Sequence, residues 1–269
     1  MVYAVANQKG GVGKSTTVVN LGAYLGSRGK RVLCVDIDPQ GNTTTGLGIK
    51  KKHLAVSSYE VLSGKNSIQE GIIRTDFENV SILPARNTLA GAELELSAME
   101  NRMNRLKMQI LTCKMDYDYI LIDCPPSLGL LTVNALTAAD YLLIPTMAET
   151  FAASGITQLY DTYKSVKKYT NPALRIDGVL LTRTERTRVT KTIQELTGKI
   201  AEYMGADVYR TTIRSNVIIK EAQAVQENVF DYIESKAQTK GERVSEASRN
   251  FVNDCLNFVK EFVEKEREQ

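Results

Sequence analysis

The sequence predicts an α/β fold: a doubly wound, mostly parallel sheet with helices on both faces. Three observations lead there. Short β-branched runs alternate with segments of helical length, which is the pattern of βαβ units. Several of those runs are apolar throughout, as Ile120-Leu121-Ile122 is, and this suits strands covered on both faces. A glycine-rich turn also joins the first run directly to the first helical segment.

The predicted strands are Val2–Ala6, Arg31–Asp36, Val80–Pro84, Tyr119–Asp123, Tyr141–Pro145 and Ile176–Thr182. Between them the spacing predicts helices near Lys14–Ser27, Asn87–Thr112, Leu130–Ala138, Phe151–Tyr169 and Arg188–Met204. In the second of these, Leu89, Ala92, Leu96, Met99, Met103, Leu106 and Ile110 step by three and four and form one apolar stripe. Val252, Cys255, Val259 and Phe262 do the same near the C-terminus. Either stripe packs on the core or offers a partner or dimer surface.

Composition bounds the rest. The chain has 269 residues, a formal charge of +3 and 43% hydrophobic residues, which excludes disordered, collagenous and low-complexity classes. No linker or repeat divides it, so residues 1–269 are expected to form a single domain. The four cysteines are scattered without a CxxC pair and His53 is the sole histidine, which argues against a zinc site or a secreted disulfide framework. The N-terminus lacks the pattern of a signal peptide. The apolar stretch from Tyr119 to Pro145 is interrupted by Asp123, Pro125, Pro126, Asn134 and Asp140, so it reads as buried sheet and helix. A cytoplasmic protein is the expectation.

The segment Lys9-Gly10-Gly11-Val12-Gly13-Lys14-Ser15-Thr16-Thr17 follows an apolar β run and precedes a helix expected to be amphipathic. Gly10, Gly11 and Gly13 permit positive φ and keep side chains out of the space between backbone and ligand. Their N–H groups and the start of the helix make a concave anion site of the P-loop type. Lys14 would supply charge to β- and γ-phosphates and the Ser15 hydroxyl would ligate Mg²⁺. The loop opens with Lys9 in place of the generic glycine. A second lysine there has a use if two nucleotides are sandwiched between two subunits, because Lys9 would neutralise phosphates across the seam; otherwise it is a solvated lysine.

Two carboxylate segments accompany the loop: Val35-Asp36-Ile37-Asp38-Pro39-Gln40-Gly41-Asn42, and Tyr119 to Ser127 with Asp123 at the end of its strand. Carboxylates at the ends of adjacent parallel strands lie on the rim where such sheets bind ligands. Asp123 is placed to hold Mg²⁺ through water, and Asp38 to orient or deprotonate an attacking water.

Together these segments resemble the ParA/MinD class of deviant Walker ATPases, most of all the Soj-like chromosome and plasmid partition ATPases. The likeness rests on KGGVGKSTTVVNLGAYL, VDIDPQGNTTTGLG, YDYILIDCPPSLGLLTVNALTAAD and LIPTMAETFAASGITQL, which span roughly the first 160 residues. GVLLTRTERT, the stretch Thr211–Ala222 and SKAQTKG extend it more loosely. The resemblance implies a P-loop NTPase of deviant Walker A type that binds ATP and Mg²⁺. Lys9 would contact the opposite subunit's ATP, and Lys14 would be the P-loop lysine. Asp38 would be required for hydrolysis, Pro39 to Asn42 would complete a switch, and Asp123 would be the Walker-B acid. It also implies an ATP-bound homodimer that binds duplex DNA without sequence preference on the nucleoid. A ParB-like partner would stimulate its hydrolysis to ADP and phosphate, segregating plasmid or chromosomal DNA.

Between Arg183 and Lys220 the chain carries a net charge of +4. Arg183, Arg186, Arg188, Lys191, Arg214 and Lys220 are the candidates for phosphate-backbone contact; the bland reading is a solvated basic face. Soj-like chains commonly show Pro-Arg-Asn-Val-Arg where this one has Arg214-Ser215-Asn216-Val217-Ile218. With the loop beginning at Lys9, no N-terminal helix-turn-helix extension is expected. The rivals are a MinD-like membrane-cycling positioner, a cluster-binding relative of the nitrogenase iron protein, and a ParA-like positioner of non-DNA cargo. The first would need a basic amphipathic tail, but residues 260–269 carry a net charge of −1, so no membrane is expected as partner.

Overall fold

The computed structural model describes residues 1–147, 152–184, 188–225, 229–239 and 245–268. The first part of the chain forms β1 (Val2–Val5), α1 (Lys14–Ser27), β2 (Val32–Asp36), α2 (Asn42–Gly46), α3 (Ser58–Leu62) and α4 (Ile68–Gly71). Then come β3 (Ile73–Arg74), β4 (Val80–Leu83), α5 (Ala92–Ser97), α6 (Arg105–Leu111), β5 (Tyr119–Asp123) and α7 (Leu130–Ala138). The last part holds β6 (Tyr141–Met147), α8 (Ala152–Tyr169), β7 (Arg175–Thr182), α9 (Arg188–Tyr203), α10 (Ile218–Ala224), α11 (Val229–Thr239) and α12 (Glu246–Glu268).

The strands form one sheet in the order β3-β4-β2-β5-β1-β6-β7. All pairings are parallel except the short β3, which runs against β4 and had no signal in the sequence. Alternation along the strands builds two cores. Val2, Ala4, Leu33, Val35, Ile120 and Ile122 pack under α5 to α8. Tyr3, Val5, Cys34 and Leu121 face α1 and α12 on the other side. The predicted α/β architecture is therefore the observed one.

Three local expectations change. The stretch from Asn87 to Thr112 is not one helix: it divides into a 3-10 turn (Asn87–Gly91), α5 and α6. Asn101 turns into the left-handed region at φ 54°. Asn134 of α7 then clamps the break, donating to the Arg102 carbonyl at 2.7 Å and accepting from Leu106 N at 3.1 Å. Leu89, Ala92, Leu96, Leu106 and Ile110 still reach the core, whereas Met103 is 38% exposed. Second, α1 is not amphipathic: it is buried along most of its length between the sheet and α12. Gly22 makes the close approach possible, since a Cβ there would sit 3.0 Å from Cys34 Sγ. Third, of the three loop glycines only Gly11 and Gly13 adopt positive φ; Gly10 does not.

Of the C-terminal stripe, Val259 and Phe262 are buried against the sheet, while Cys255 and the half-buried Val252 pack in a smaller cluster with Ile218, Ala222, Val229 and Phe251. Phe258, Val259 and Phe262 of α12 are buried against the sheet, each contributing about 1.5–3 kcal/mol through burial. The chain from Asp207 to Arg214 runs beside β7, with Tyr209 N bonding the Val179 carbonyl at 2.9 Å and Ile213 N the Leu181 carbonyl at 2.8 Å. Among the described residues, no helix is long and apolar enough to cross a membrane.

Candidate functional site

The glycine-rich loop lies where β1 ends and α1 begins, and the strand order reverses around β1, the position at which open α/β sheets bind ligands. Its φ values of 74° at Gly11 and 88° at Gly13 turn the backbone around an open concavity. The loop is pinned from outside: Asn7 donates to the Pro145 carbonyl at 2.8 Å and accepts from Lys9 N at 3.0 Å. Thr182, at the end of β7, donates to the Val12 carbonyl at 2.8 Å. Lys14 begins α1 and is only 6% exposed. Its ammonium donates to the Lys9 carbonyl at 3.1 Å, and burial lowers its pKa.

Asp36 and Asp123 are register partners at the ends of the adjacent strands β2 and β5, both fully buried. Burial pushes Asp123 up to about 6, opposed by the Ser15 and Thr43 hydroxyls. Burial, and then the charge of Asp123, pushes Asp36 up to about 8. Thr43 donates to Asp123 Oδ2 at 2.7 Å, whereas the buried Oδ1 has no hydrogen-bond partner. An orphaned carboxylate oxygen beside a serine hydroxyl fits a hydrated divalent cation. The donor set Ser15 and Asp123 is therefore compatible with Mg²⁺.

Asp38 sits in the turn after β2 and is 5% exposed. It caps that turn, accepting from Gln40 N at 2.9 Å while its carbonyl takes Gly41 N at 2.8 Å. Asp36 closes the same turn from beneath, accepting from Asp38 N at 3.1 Å and from Thr44 N and Oγ1 at 2.8 and 2.7 Å. Pro39 is half-buried, and Gln40 and Asn42 face solvent.

Lys9, the glycines, Lys14, Ser15, Asp38 and Asp123 are thus gathered on one rim. Sequence reasoning missed Asp36, Thr43, Thr44 and Thr182. Only the first carried a signal, as a second strand-end carboxylate two residues before Asp38.

Of the candidates for a basic surface, Arg183 and Arg214 each have a partner within the chain. Arg183, at φ 51° just past β7, turns back to the glycine-rich loop, with Nη1 3.5 Å from the Gly11 carbonyl. Arg214 is held by Asp254 of α12 through Nε and Nη2, both at 2.8 Å. Its charge is therefore offset by a carboxylate, and a third of the side chain remains open to solvent. Arg188 and Lys191 lie in the first turn of α9 and Lys220 lies on α10; Arg186 falls outside the described residues. Beside the loop, Gly13, Thr16, Asn20, Ile213, Phe251 and Phe258 help line a cavity of about 420 Å³.

A family model described as an AAA domain (AAA_31) matches residues 1–176. The sporulation initiation inhibitor protein Soj of Bacillus subtilis is 48% identical over 221 residues, covering 82% of this chain and 87% of that protein. The chromosome partitioning protein ParA of Caulobacter vibrioides is 41% identical over 233 residues, 86% of each chain. A solved structure described as cobyrinic acid a,c-diamide synthase from Mycobacterium smegmatis, with bound ADP and magnesium, is 38% identical. It superposes with a TM-score of 0.75 over 89% of this chain and 96% of that one. With the glycine-rich loop, the two strand-end carboxylates and the likeness to Soj and ParA in agreement, the chain belongs to the ParA/Soj family of deviant Walker partition ATPases.

Proposed function

We propose that this chain is the nucleotide-driven switch of a DNA partition system. It binds ATP and Mg²⁺, pairs with a second copy, holds duplex DNA without sequence preference and lets go after hydrolysis. The observation that carries the reading is the convergence of Lys14, Ser15, Asp38 and Asp123 on one strand-end rim, with one oxygen of Asp123 buried and unpartnered.

In this reading the loop N–H groups from Gly10 to Thr17 cradle the phosphates and Lys14 trades the Lys9 carbonyl for them. Ser15 and Asp123 would hold a magnesium ion, which when bound would neutralise charge on the phosphates. Asp38 orients the attacking water and accepts its proton, and Pro39 to Asn42 relay the change as the switch. Lys9 reaches the other subunit's nucleotide. Arg183 adds charge at the loop mouth, and the adjoining cavity takes the nucleoside. Hydrolysis here needs little covalent help from the protein: positioning and charge stabilisation carry it, so a partner that completes either one stimulates turnover. A ParB-like DNA-bound protein is the proposed partner, and the nucleoid in the cytoplasm the proposed location.

The membrane-cycling alternative is disfavoured, since the apolar side of α12 is already spent on the sheet through Phe258, Val259 and Phe262.

Asp38→Ala tests the reading. With ATP and Mg²⁺ the variant is expected to elute as a dimer and to hydrolyse at least about a hundredfold more slowly than wild type. An ATP-loaded variant that elutes as a monomer rejects the switch assignment.

A further inference from the structure

One basic run is absorbed by none of this. Between Asp38 and Glu60 the chain contains no acidic residue, yet it carries Lys50, Lys51, Lys52 and His53 in succession. The last three form a 3-10 turn that follows the switch helix α2. Lys50, Lys52 and His53 are exposed. Among the described residues no carboxylate lies within ion-pair distance of Lys50, Lys51 or Lys52. The next acid along the chain, Glu60, is committed to Ser57 N and Oγ and to Arg86. Arg214 is paired with a carboxylate; among the described residues Lys50, Lys51 and Lys52 are not.

The run is also keyed to the switch. Lys51 reaches back and donates its ammonium to the Gln40 carbonyl. Gly41 makes that approach possible: at φ 58° it has no side chain, and a Cβ there would lie 2.6 Å from Lys51 Cε and 3.1 Å from the Ala85 carbonyl. A shift of the turn that carries Asp38 therefore moves the lysine next to two exposed ones.

We propose that Lys50, Lys52 and His53 contact the phosphate backbone of duplex DNA, and that Lys51 ties this contact to the turn carrying Asp38. The inference rests on the DNA-binding reading above. Adjacent cations on a short turn, with no acid and no aromatic platform beside them until Tyr59, suit sequence-blind contact with a polyanion. A lipid surface is the weaker match, because no large apolar side chain from residue 42 to 60 is exposed to enter a bilayer.

The test compares wild type with Lys50→Ala/Lys52→Ala, loaded with ATP and Mg²⁺, for binding to plain duplex DNA and to phosphatidylglycerol vesicles. Salt is varied from about 50 to about 200 mM. The variant should bind DNA about tenfold more weakly, and its plot of log affinity against log salt should be shallower by about 2. ATP-dependent dimerisation and DNA-free hydrolysis should stay at wild-type levels, and Lys50→Arg/Lys52→Arg should restore the affinity. Unchanged affinity and slope in a variant that still dimerises overturn the inference while leaving the switch reading intact. A loss on vesicles but not on DNA overturns it in favour of a membrane. A wild-type protein that dimerises with ATP yet ignores DNA overturns both this inference and the DNA-binding reading. Lys51→Met should narrow the ratio of DNA affinities between the ATP and ADP forms; an unchanged ratio overturns the coupling.

Discussion

The rim of the sheet and the basic stretch from Arg183 to Lys220 were both marked by charge, yet the structure treats them differently. On the rim, Lys14, Ser15, Asp38 and Asp123 come from three separate segments and meet at the ends of β1, β2 and β5. In the basic stretch, Arg183 folds onto Gly11 and Arg214 is paired with Asp254. The difference lies in what holds each group. Strand-end residues are placed by the sheet register, which the buried alternation of β1, β2 and β5 enforces. Long cationic side chains on loops choose the nearest acceptor, and a charge count along the chain does not reveal that acceptor.

Substitutions should separate the two regions sharply. The largest effect is expected for Lys14→Ala, which removes the buried cation at the start of α1; nucleotide affinity measured by calorimetry should fall at least about a hundredfold. Lys9→Ala comes next: the monomer should still bind ATP, but ATP-induced dimerisation in size-exclusion should be lost. Retained dimerisation would return Lys9 to the role of a solvated lysine.

A smaller effect is expected from pH. In the nucleotide-free fold, burial keeps protons on Asp123 and Asp36, pushed up to about 6 and about 8, that the unfolded chain releases near its ordinary carboxylate value of 3.8. The folded state thus binds more protons across this window, and stability falls as pH rises from about 4 to about 8. Urea midpoints measured across that range should show the fall, and Asp36→Asn should flatten it. The smallest effect belongs to Arg214→Ala. A third of that side chain is open to solvent, 33% against 9% for Asp254, so breaking the pair should cost about 1 kcal/mol. That lowers Tm by about 2–4 °C. A large loss of DNA affinity with no change in Tm would put Arg214 back on the binding surface.

Much of the site was legible because its elements are local. The glycine-rich segment with its lysine and serine occupies nine consecutive residues, Asp123 closes one apolar run, and Asp38 lies two residues beyond the end of another. What escaped was long-range. Thr43 and Thr44 were part of a polar run until the fold set them against Asp123 and Asp36, residues eighty and eight positions away. The single helix expected from Asn87 to Thr112 failed for a related reason. Its apolar stripe is real, but Asn134 satisfies the broken backbone at Arg102 and Leu106 from another helix, and spacing alone carries no trace of that partner.

By itself, then, the amino-acid order determined the α/β architecture, the phosphate-type loop and the carboxylates at strand ends. Each follows from periodicity and from the conformational freedom or charge of neighbouring residues. Tertiary structure alone decided which hydroxyl closes on which carboxylate, that Arg183 meets the Gly11 carbonyl and Arg214 meets Asp254, and that the lysine run after α2 is joined to the turn carrying Asp38. Those outcomes depend on distances between segments far apart in the chain, and such distances exist only once the sheet has set its register and the helices have packed upon it.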